Sequence, residues 1–188
     1  MPEAKGAPEI HAPPDAFVYP LNEFYAARKL PLPAISRVEA EGVPEPYRAL
    51  LVHNGDMTSR LETFHQGTIR LKLLGRRNVS PLYFREVVLF LEGSGKPVEF
   101  GAIKIHLDLF PPEAWRVVLE EHLPLGRILN DFRITFASRP QAFLRVSSDR
   151  FISGVLELHG THTLYGRCNK IVNSQEQALA EIVEILPP

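Results

Sequence analysis

One arginine lies within the strongly apolar stretch LYFREVVLFLE (82–92). If this stretch is a β-strand, alternate side chains share a face, which groups Arg85 with Tyr83 and Val87. A guanidinium on an apolar face requires an anion, and its planar fork matches a carboxylate. Three interpretations follow from the residues: a structural ion pair with a protein carboxylate, an arginine that reaches out at a sheet edge, or a binding site for an anionic ligand.

Two carboxylates interrupt the apolar stretch QALAEIVEIL (177–186). Glu181 and Glu184 are three positions apart, so a regular strand directs them to opposite faces. We expect Glu181 to face solvent, while Glu184 shares a face with Ile182 and Leu186. Glu184 then belongs either to a solvated strand end or to an apolar pocket. In a pocket, burial would raise its pKa and allow it to act as an acid or a base.

The other residues that could do chemistry lack partners. His159 and His162 diverge if they lie on a strand, and no third metal ligand is close in sequence. Cys168 is the single cysteine, which excludes an intramolecular disulfide and a cysteine cluster. The GSG at 93–95 does not belong to a strand–loop–helix unit that could hold phosphate. The sequence therefore predicts no metal and no organic cofactor.

The composition indicates an ordinary globular protein. The 188 residues are 45% hydrophobic and 23% charged, with a net charge of −1. Such a balance provides no field that attracts nucleic acid or an anionic membrane, so an anionic ligand would have to be bound by local arginines. No stretch has the length of a signal core or a membrane span, which predicts a cytoplasmic protein. Residues 1–16 are predicted to be a flexible tail, and 17–188 one domain.

The expected elements indicate an α+β fold. Helical patterns cover five segments: 21–30, 46–54, 56–67, 111–123 and 124–131. Strand patterns cover seven: 68–75, 82–92, 98–110, 141–148, 151–160, 164–172 and 177–186. The GSGKP turn predicts a hairpin between the second and third strands. Because strands outnumber helices and no βαβ alternation is present, we predict an antiparallel β-sheet with helices packed on it.

Four short blocks resemble one family, the chorismate lyases (chorismate pyruvate-lyases). They occur in the family's order and at similar spacing, from about Leu50 onward, and they are most similar to the divergent cyanobacterial and actinobacterial branch. The blocks are GDMTSRLE (55–62), LYFREVVLFLEGSGKPV (82–98), LPLGRIL (123–129) and LYGR (164–167) followed by IVEILP (182–187).

The resemblance implies a fold and a reaction. The fold would be an antiparallel sheet with an enclosed ligand cavity sealed by helical flaps. The reaction would remove pyruvate from chorismate and leave 4-hydroxybenzoate, without a metal or an organic cofactor. An enclosed cavity would also release its product slowly, so the resemblance implies inhibition by 4-hydroxybenzoate.

The resemblance also implies residue roles. Arg85 would bind the ring carboxylate, and Glu184 would contact the ring hydroxyl. Arg167 would support the site. Three further residues would line the substrate cavity: Met57, Leu125 and Gly126. The chain departs from the ubiquinone-pathway enzymes at Ala102, where they carry an arginine after a glycine. We expect Lys104, on the same strand face as Ala102, to supply the missing positive charge.

Two alternatives remain to the chorismate lyase interpretation. The same fold resembles the effector-binding (UTRA) domains of bacterial transcription regulators, which bind small molecules without chemistry. The absence of a helix-turn-helix pattern and of a basic excess favours the enzyme. The third possibility is a lyase that acts on aminodeoxychorismate or another enol-pyruvyl ether.

Overall fold

The computed structural model describes residues 17–188, and the predicted tail, 1–16, lies outside the described residues. The described part contains seven strands: β1 (Ile35–Val38), β2 (Ile69–Val79), β3 (Leu82–Leu91), β4 (Pro97–His106), β5 (Ala137–Ser147), β6 (Thr163–Val172) and β7 (Ala178–Leu186). It also contains six α-helices: α1 (Leu21–Ala27), α2 (Tyr47–Leu51), α3 (Met57–His65), α4 (Pro112–Glu120), α5 (Leu125–Asp131) and α6 (Arg150–Val155).

The seven strands form one sheet in the order β1-β5-β6-β7-β4-β3-β2, and every neighbouring pair is antiparallel. The hairpin between β3 and β4 forms as its turn signal predicts. β4 and β7 lie side by side near the centre although they are distant in sequence. The predicted α+β fold with an antiparallel sheet is therefore confirmed.

The helices cover both faces of the sheet. Helices α1 and α6 pack on one face, where Phe84, Phe100 and Val183 are part of a continuous apolar core. On the other face, α4 and α5 form one apolar cluster and α2 and α3 form a second. Arg85 and Glu184 lie on this second face of the sheet, which we call the cavity face.

One predicted strand is a helix. The stretch 151–160 is rich in β-branched and aromatic residues, which favour strands. In the structure, Asp149 caps α6 by accepting a hydrogen bond from Ile152 N at 2.8 Å. Ile152 and Leu156, four positions apart, are both buried against the sheet. A helix thus buries the apolar residues of this stretch on one side.

The edges of the sheet also differ from the prediction. The short strand β1 pairs with β5, and β2 continues beyond Gly75 to Val79 across a register shift. No helix in residues 17–188 has the length and apolar character needed to cross a bilayer.

Candidate ligand-binding cavity

A cavity lies between the two apolar clusters of the cavity face. The empty space between its lining residues, which is continuous with solvent, amounts to about 540 Å³. Strands β3, β4 and β7 form its floor, and the first residues of α3 and α5 form its roof. The walls are mainly apolar, with Val87, Ile103 and Leu129 among the lining residues. The surroundings suit a ring or another compact hydrocarbon unit.

The roof depends on a close contact between α3 and α5. Asp56 caps α3 by accepting a hydrogen bond from Ser59 N at 2.8 Å, and Asn130 of α5 donates to Ser59 Oγ at 3.3 Å. A β-carbon at position 126 would collide with the Asp56 carboxylate, so only glycine allows the two helix ends to approach this closely. Gly126 therefore shapes the roof of the cavity.

The structure places all three predicted cavity-lining residues in the wall. Met57 and Leu125 are the first residues of α3 and α5, and both are buried and line the cavity beside Gly126. The first N–H groups of a helix have no intrahelical acceptor. Those of Met57 and Leu125 are therefore available as donors near the ligand space.

Arg85 has no carboxylate partner within residues 17–188. Its side chain is buried, with 1% of the residue exposed, and it lines the cavity. Nη2 donates to the carbonyl oxygen of Leu123 at 3.2 Å, whereas Nε and Nη1 have no hydrogen-bond partner among the described residues. Burial lowers the pKa of Arg85 to about 10, so the guanidinium remains protonated at neutral pH.

The nearby carboxylate is already engaged. Glu121 accepts hydrogen bonds from the Tyr83 hydroxyl and from Arg76 Nη1, the latter at 2.8 Å. It forms its ion pair with Arg76, and in the described part of the chain Arg85 forms none. The interpretation of Arg85 as half of a structural ion pair is therefore wrong.

Glu184 is held by Arg167 from the next strand. The two residues lie opposite each other on β7 and β6, and Arg167 Nε donates to Glu184 Oε2. Arg167 Nη1 also donates to the carbonyl oxygens of Leu51 and His53, each at 3.2 Å. Burial and the neighbouring Arg167 charge lower the pKa of His53 to about 4, so this ring is neutral at pH 7. Arg167 thus fixes the Glu184 side chain at the cavity wall.

Sequence reasoning missed Glu99. This residue lines the cavity, is only 4% exposed, and its Oε2 has no hydrogen-bond partner among the described residues. Burial, and next the charge of Glu184, raise its pKa well above the usual value, while Arg167 acts in the opposite direction. The available signal was strand alternation, because Glu99 and Ile103 share a face with Gly101.

The register of the sheet separates the two ends of the cavity. Arg85 is opposite Ile103, and Ile103 is opposite Ile182, two residues before Glu184. Two strand spacings of about 4.8 Å and one two-residue step of about 6.7 Å place the Cα atoms of Arg85 and Glu184 about 12 Å apart. The cavity therefore has a cationic end at Arg85 and an end with two carboxyl groups.

Lys104 does not reach the cavity. It shares a face with Ala102, as predicted, but this is the face opposite the cavity, where Ala102 is part of the core under α1 and α6. Lys104 Nζ lies 2.6 Å from Glu181 Oε2. Glu181 is consequently half-buried in an ion pair, and the expectation that it faces solvent is wrong. Within residues 17–188, Arg85 is the one cationic side chain that lines the cavity.

The cavity contains no arrangement of metal ligands. Across residues 17–188, no three His, Cys, Asp or Glu side chains are grouped as a metal ion would require. The site provides the buried Arg85 guanidinium, the Glu184 carboxyl group fixed by Arg167, the Glu99 carboxyl group, the helix-capping Asp56 at the roof, and apolar walls.

Comparisons with known proteins show similarity at the level of fold. No protein-family model and no curated protein sequence matches the chain. The structure is similar to PhnF from Mycobacterium smegmatis (TM-score 0.55, 12% identity, covering 70% of this chain and 63% of that one). It is similar to the effector domain of PhnF (TM-score 0.54, 11% identity, covering 70% of this chain and 88% of that one). It is also similar to the gene product SA0254 from Staphylococcus aureus (TM-score 0.51, 7% identity, covering 63% of this chain and 82% of that one).

The covered fractions of the two chains show which part of PhnF the structure resembles. This chain spans less than two thirds of PhnF but most of the PhnF effector domain. At these identities, the likeness shows that the sheet and its helices have the same fold as that effector domain.

Proposed function

We propose that the cavity binds a small organic molecule with one carboxylate, and that Arg85 contacts this carboxylate. The observation that carries the proposal is the buried Arg85 guanidinium, which lines the cavity and forms no ion pair with any residue in 17–188. An unpaired buried charge is costly, and a ligand carboxylate supplies the opposite charge together with hydrogen-bond acceptors for the guanidinium. The fold shared with the PhnF effector domain supports a binding function.

The other residues that line the cavity indicate what the rest of the ligand contains. The apolar side chains between the two ends suit a six-membered ring. Glu184, held in place by Arg167, accepts a hydrogen bond from a group at the far end of that ring. 4-Hydroxybenzoate has these three features in this order and is a suitable probe.

Calorimetry with matched ligands tests the binding proposal. The protein should bind 4-hydroxybenzoate, and 4-hydroxybenzamide should bind at least about tenfold more weakly, because the amide lacks the charge that Arg85 requires. The two probes have nearly the same shape, so the comparison isolates the charge. Equal affinity for both would contradict the assignment of Arg85 as a carboxylate site.

A second candidate function is a chorismate lyase activity. The observation that favours it is the presence of two carboxyl groups opposite Arg85 in one cavity, one fixed as a carboxylate and one with a raised pKa. In this reaction, the ether C–O bond of chorismate breaks and the ring loses one proton as it becomes aromatic. The departing enolpyruvyl group gains one proton and becomes pyruvate, so no oxidant or water is consumed.

The residues would act by positioning the reactants. Arg85 would hold the ring carboxylate and Glu184 the ring hydroxyl, while the apolar walls exclude water. Chorismate has a second carboxylate, for which the cavity offers no second lining cation now that Lys104 is placed on the other face. That carboxylate leaves with pyruvate, so the product matches the cavity better than the substrate does. Inhibition by 4-hydroxybenzoate is therefore expected.

An assay with chorismate separates the two candidates. Purified protein is incubated with chorismate, and pyruvate and 4-hydroxybenzoate are measured against a boiled control. Formation of both products at equal amounts would establish the lyase. Binding of 4-hydroxybenzoate without turnover would establish a binding domain. The third alternative is tested with aminodeoxychorismate, whose product is 4-aminobenzoate.

A further inference from the structure

Glu99 is a buried carboxyl group that carboxylate binding by Arg85 does not explain. Glu99 and Glu184 lie on adjacent strands, and Gly101 opposite Glu184 has no side chain between them. A β-carbon on Gly101 would lie 3.1 Å from Glu99 Oε1, so the Glu99 carboxyl group occupies the space beside this glycine. The two carboxyl groups therefore share one end of the cavity.

The charges at this end are unequal. Glu99 and Glu184 lie near one buried guanidinium, that of Arg167. Arg167 Nε donates its hydrogen bond to Glu184. Glu99 receives no hydrogen bond from any described residue. The other titratable groups nearby do not change this balance, because His53 is neutral at pH 7 and Arg85 is at the other end of the cavity. The Arg167 charge balances one ionised carboxyl group, and ionising both would leave one buried negative charge without a partner, so one of the two carboxyl groups keeps its proton.

A protonated Glu99 would be a hydrogen-bond donor without an acceptor. Its Oε2 is buried, and a buried polar atom without a partner costs about 1–3 kcal/mol. The cavity lies directly beside it. A ligand atom that accepts a hydrogen bond from Glu99 while donating one to Glu184 would satisfy both carboxyl groups.

We infer that Glu99 and Glu184 form a hydroxyl-recognition pair, in which Glu99 donates a hydrogen bond to the ligand oxygen and Glu184 accepts one from it. This inference rests on the proposed binding function and specifies the group at the far end of the ligand. A hydroxyl oxygen both donates and accepts. An aromatic amine donates to Glu184 but accepts poorly, because its lone pair is delocalised into the ring. A ring with hydrogen at this position does neither.

The wild-type protein alone provides the first test. Calorimetry compares 4-hydroxybenzoate with 4-aminobenzoate and benzoate, which share the carboxylate and the ring. We expect 4-hydroxybenzoate to bind at least about tenfold more tightly than either analogue. Equal binding of 4-hydroxybenzoate and 4-aminobenzoate would overturn the hydroxyl-recognition pair and leave the carboxylate site intact. Failure to bind any of the three would overturn both proposals.

Reciprocal glutamine variants provide the second test. Glu99→Gln keeps a neutral donor, so its affinity for 4-hydroxybenzoate should stay within about threefold of wild type. Glu184→Gln removes the ionised acceptor and should weaken binding by about tenfold or more. Glu99→Leu removes the donor, and it should reduce the preference for 4-hydroxybenzoate over benzoate while benzoate still binds. A Glu99→Gln variant weakened as severely as Glu184→Gln would show that Glu99 is an ionised acceptor, contrary to the inference.

Discussion

The charged residues on the two faces of β3, β4 and β7 differ in their partners. On the face opposite the cavity, Lys104 pairs with Glu181, and Glu86 lies within ion-pair distance of Arg28 from the segment after α1, although neither buried Glu86 oxygen has a hydrogen-bond partner among the described residues. These pairs join neighbouring elements and require no ligand. On this face, a charge in an apolar strand has a structural explanation.

On the cavity face, charges of both signs lack protein partners. Arg85 has two buried N–H groups without acceptors, and Glu99 has a buried oxygen without a donor. Only Glu184 is paired, through Arg167. Because the same three strands carry both arrangements, pairing rather than burial distinguishes a structural charge from a candidate ligand-binding charge.

Removing one member of the buried pair should have the largest effect. Glu184→Ala leaves Arg167 buried without a counter-charge, and we expect the free energy of unfolding to fall by about 3–5 kcal/mol. Glu181→Ala, on the opposite face, breaks a half-buried pair and should lower it by about 1 kcal/mol or less. Urea unfolding of the two variants at pH 7 checks the difference. Equal losses would mean that the two faces do not differ in the way described.

Replacing Arg85 should weaken ligand binding but increase the stability of the ligand-free protein. Arg85→Met should weaken 4-hydroxybenzoate binding by about 2–5 kcal/mol, because it removes a charge-assisted contact. The same change should raise the free energy of unfolding of the ligand-free protein by about 1–4 kcal/mol, because it removes an uncompensated buried charge. Calorimetry and urea unfolding measure the two quantities.

The matched control for Arg85 is Arg70→Met. Arg70 is an exposed residue of β2 that pairs with Glu92, outside the cavity. Its replacement should change neither the binding nor the stability by more than about 0.5 kcal/mol. A loss of stability in Arg85→Met would indicate that the guanidinium has a structural partner after all.

The raised pKa of Glu99 predicts that the free energy of unfolding depends on pH, with an effect smaller than those of the substitutions above. The folded state holds the Glu99 proton at pH values where the unfolded chain has released it. This contribution to stability is therefore complete below the ordinary pKa of glutamate and is lost as the pH rises through the folded-state pKa. Glu99→Gln removes the contribution, so the stability of wild type relative to this variant should decrease as the pH rises.

Unfolding measurements from about pH 5 to about pH 9 test this dependence. His53, Glu184 and Arg167 face the same region, but they are present in both proteins, so their contributions largely cancel in the difference. A difference that does not change with pH would show that Glu99 is ionised in the folded protein.

Strand alternation predicted much of the site. Because side chains alternate with a period of two, the sequence placed Arg85 with Val87 and separated Glu184 from Glu181, and the structure shows both arrangements. The period does not say which face will be covered by α3 and α5. Lys104 was correctly placed on one face with Ala102, but the packing of the helices decided that this face is not the cavity.

Other features depended on distant contacts. The stretch containing Ile152 has the residue types of a strand, and its helix forms because Asp149 caps it and the sheet surface buries one side. The four residues of β1 are too few for a pattern, and they are ordered by pairing with β5. Strand alternation places Glu99 on the face of Gly101, but it does not show that the Glu99 carboxyl group lacks a hydrogen-bond partner. That depends on the space beside Gly101 and on the strand that carries Glu184.

The smallest expected effect belongs to Lys104, and it tests the face assignment directly. Lys104→Met breaks the ion pair with Glu181 while keeping an apolar side chain of similar length, so stability should change by about 1 kcal/mol or less. Binding of 4-hydroxybenzoate should be unchanged, because Lys104 lies on the opposite side of the sheet from the cavity. Calorimetry of this variant beside Arg85→Met compares one cation from each face. If Lys104→Met lost binding as strongly as Arg85→Met, the ligand would lie on the other face, and the unpaired charges around Glu99 would need a different explanation.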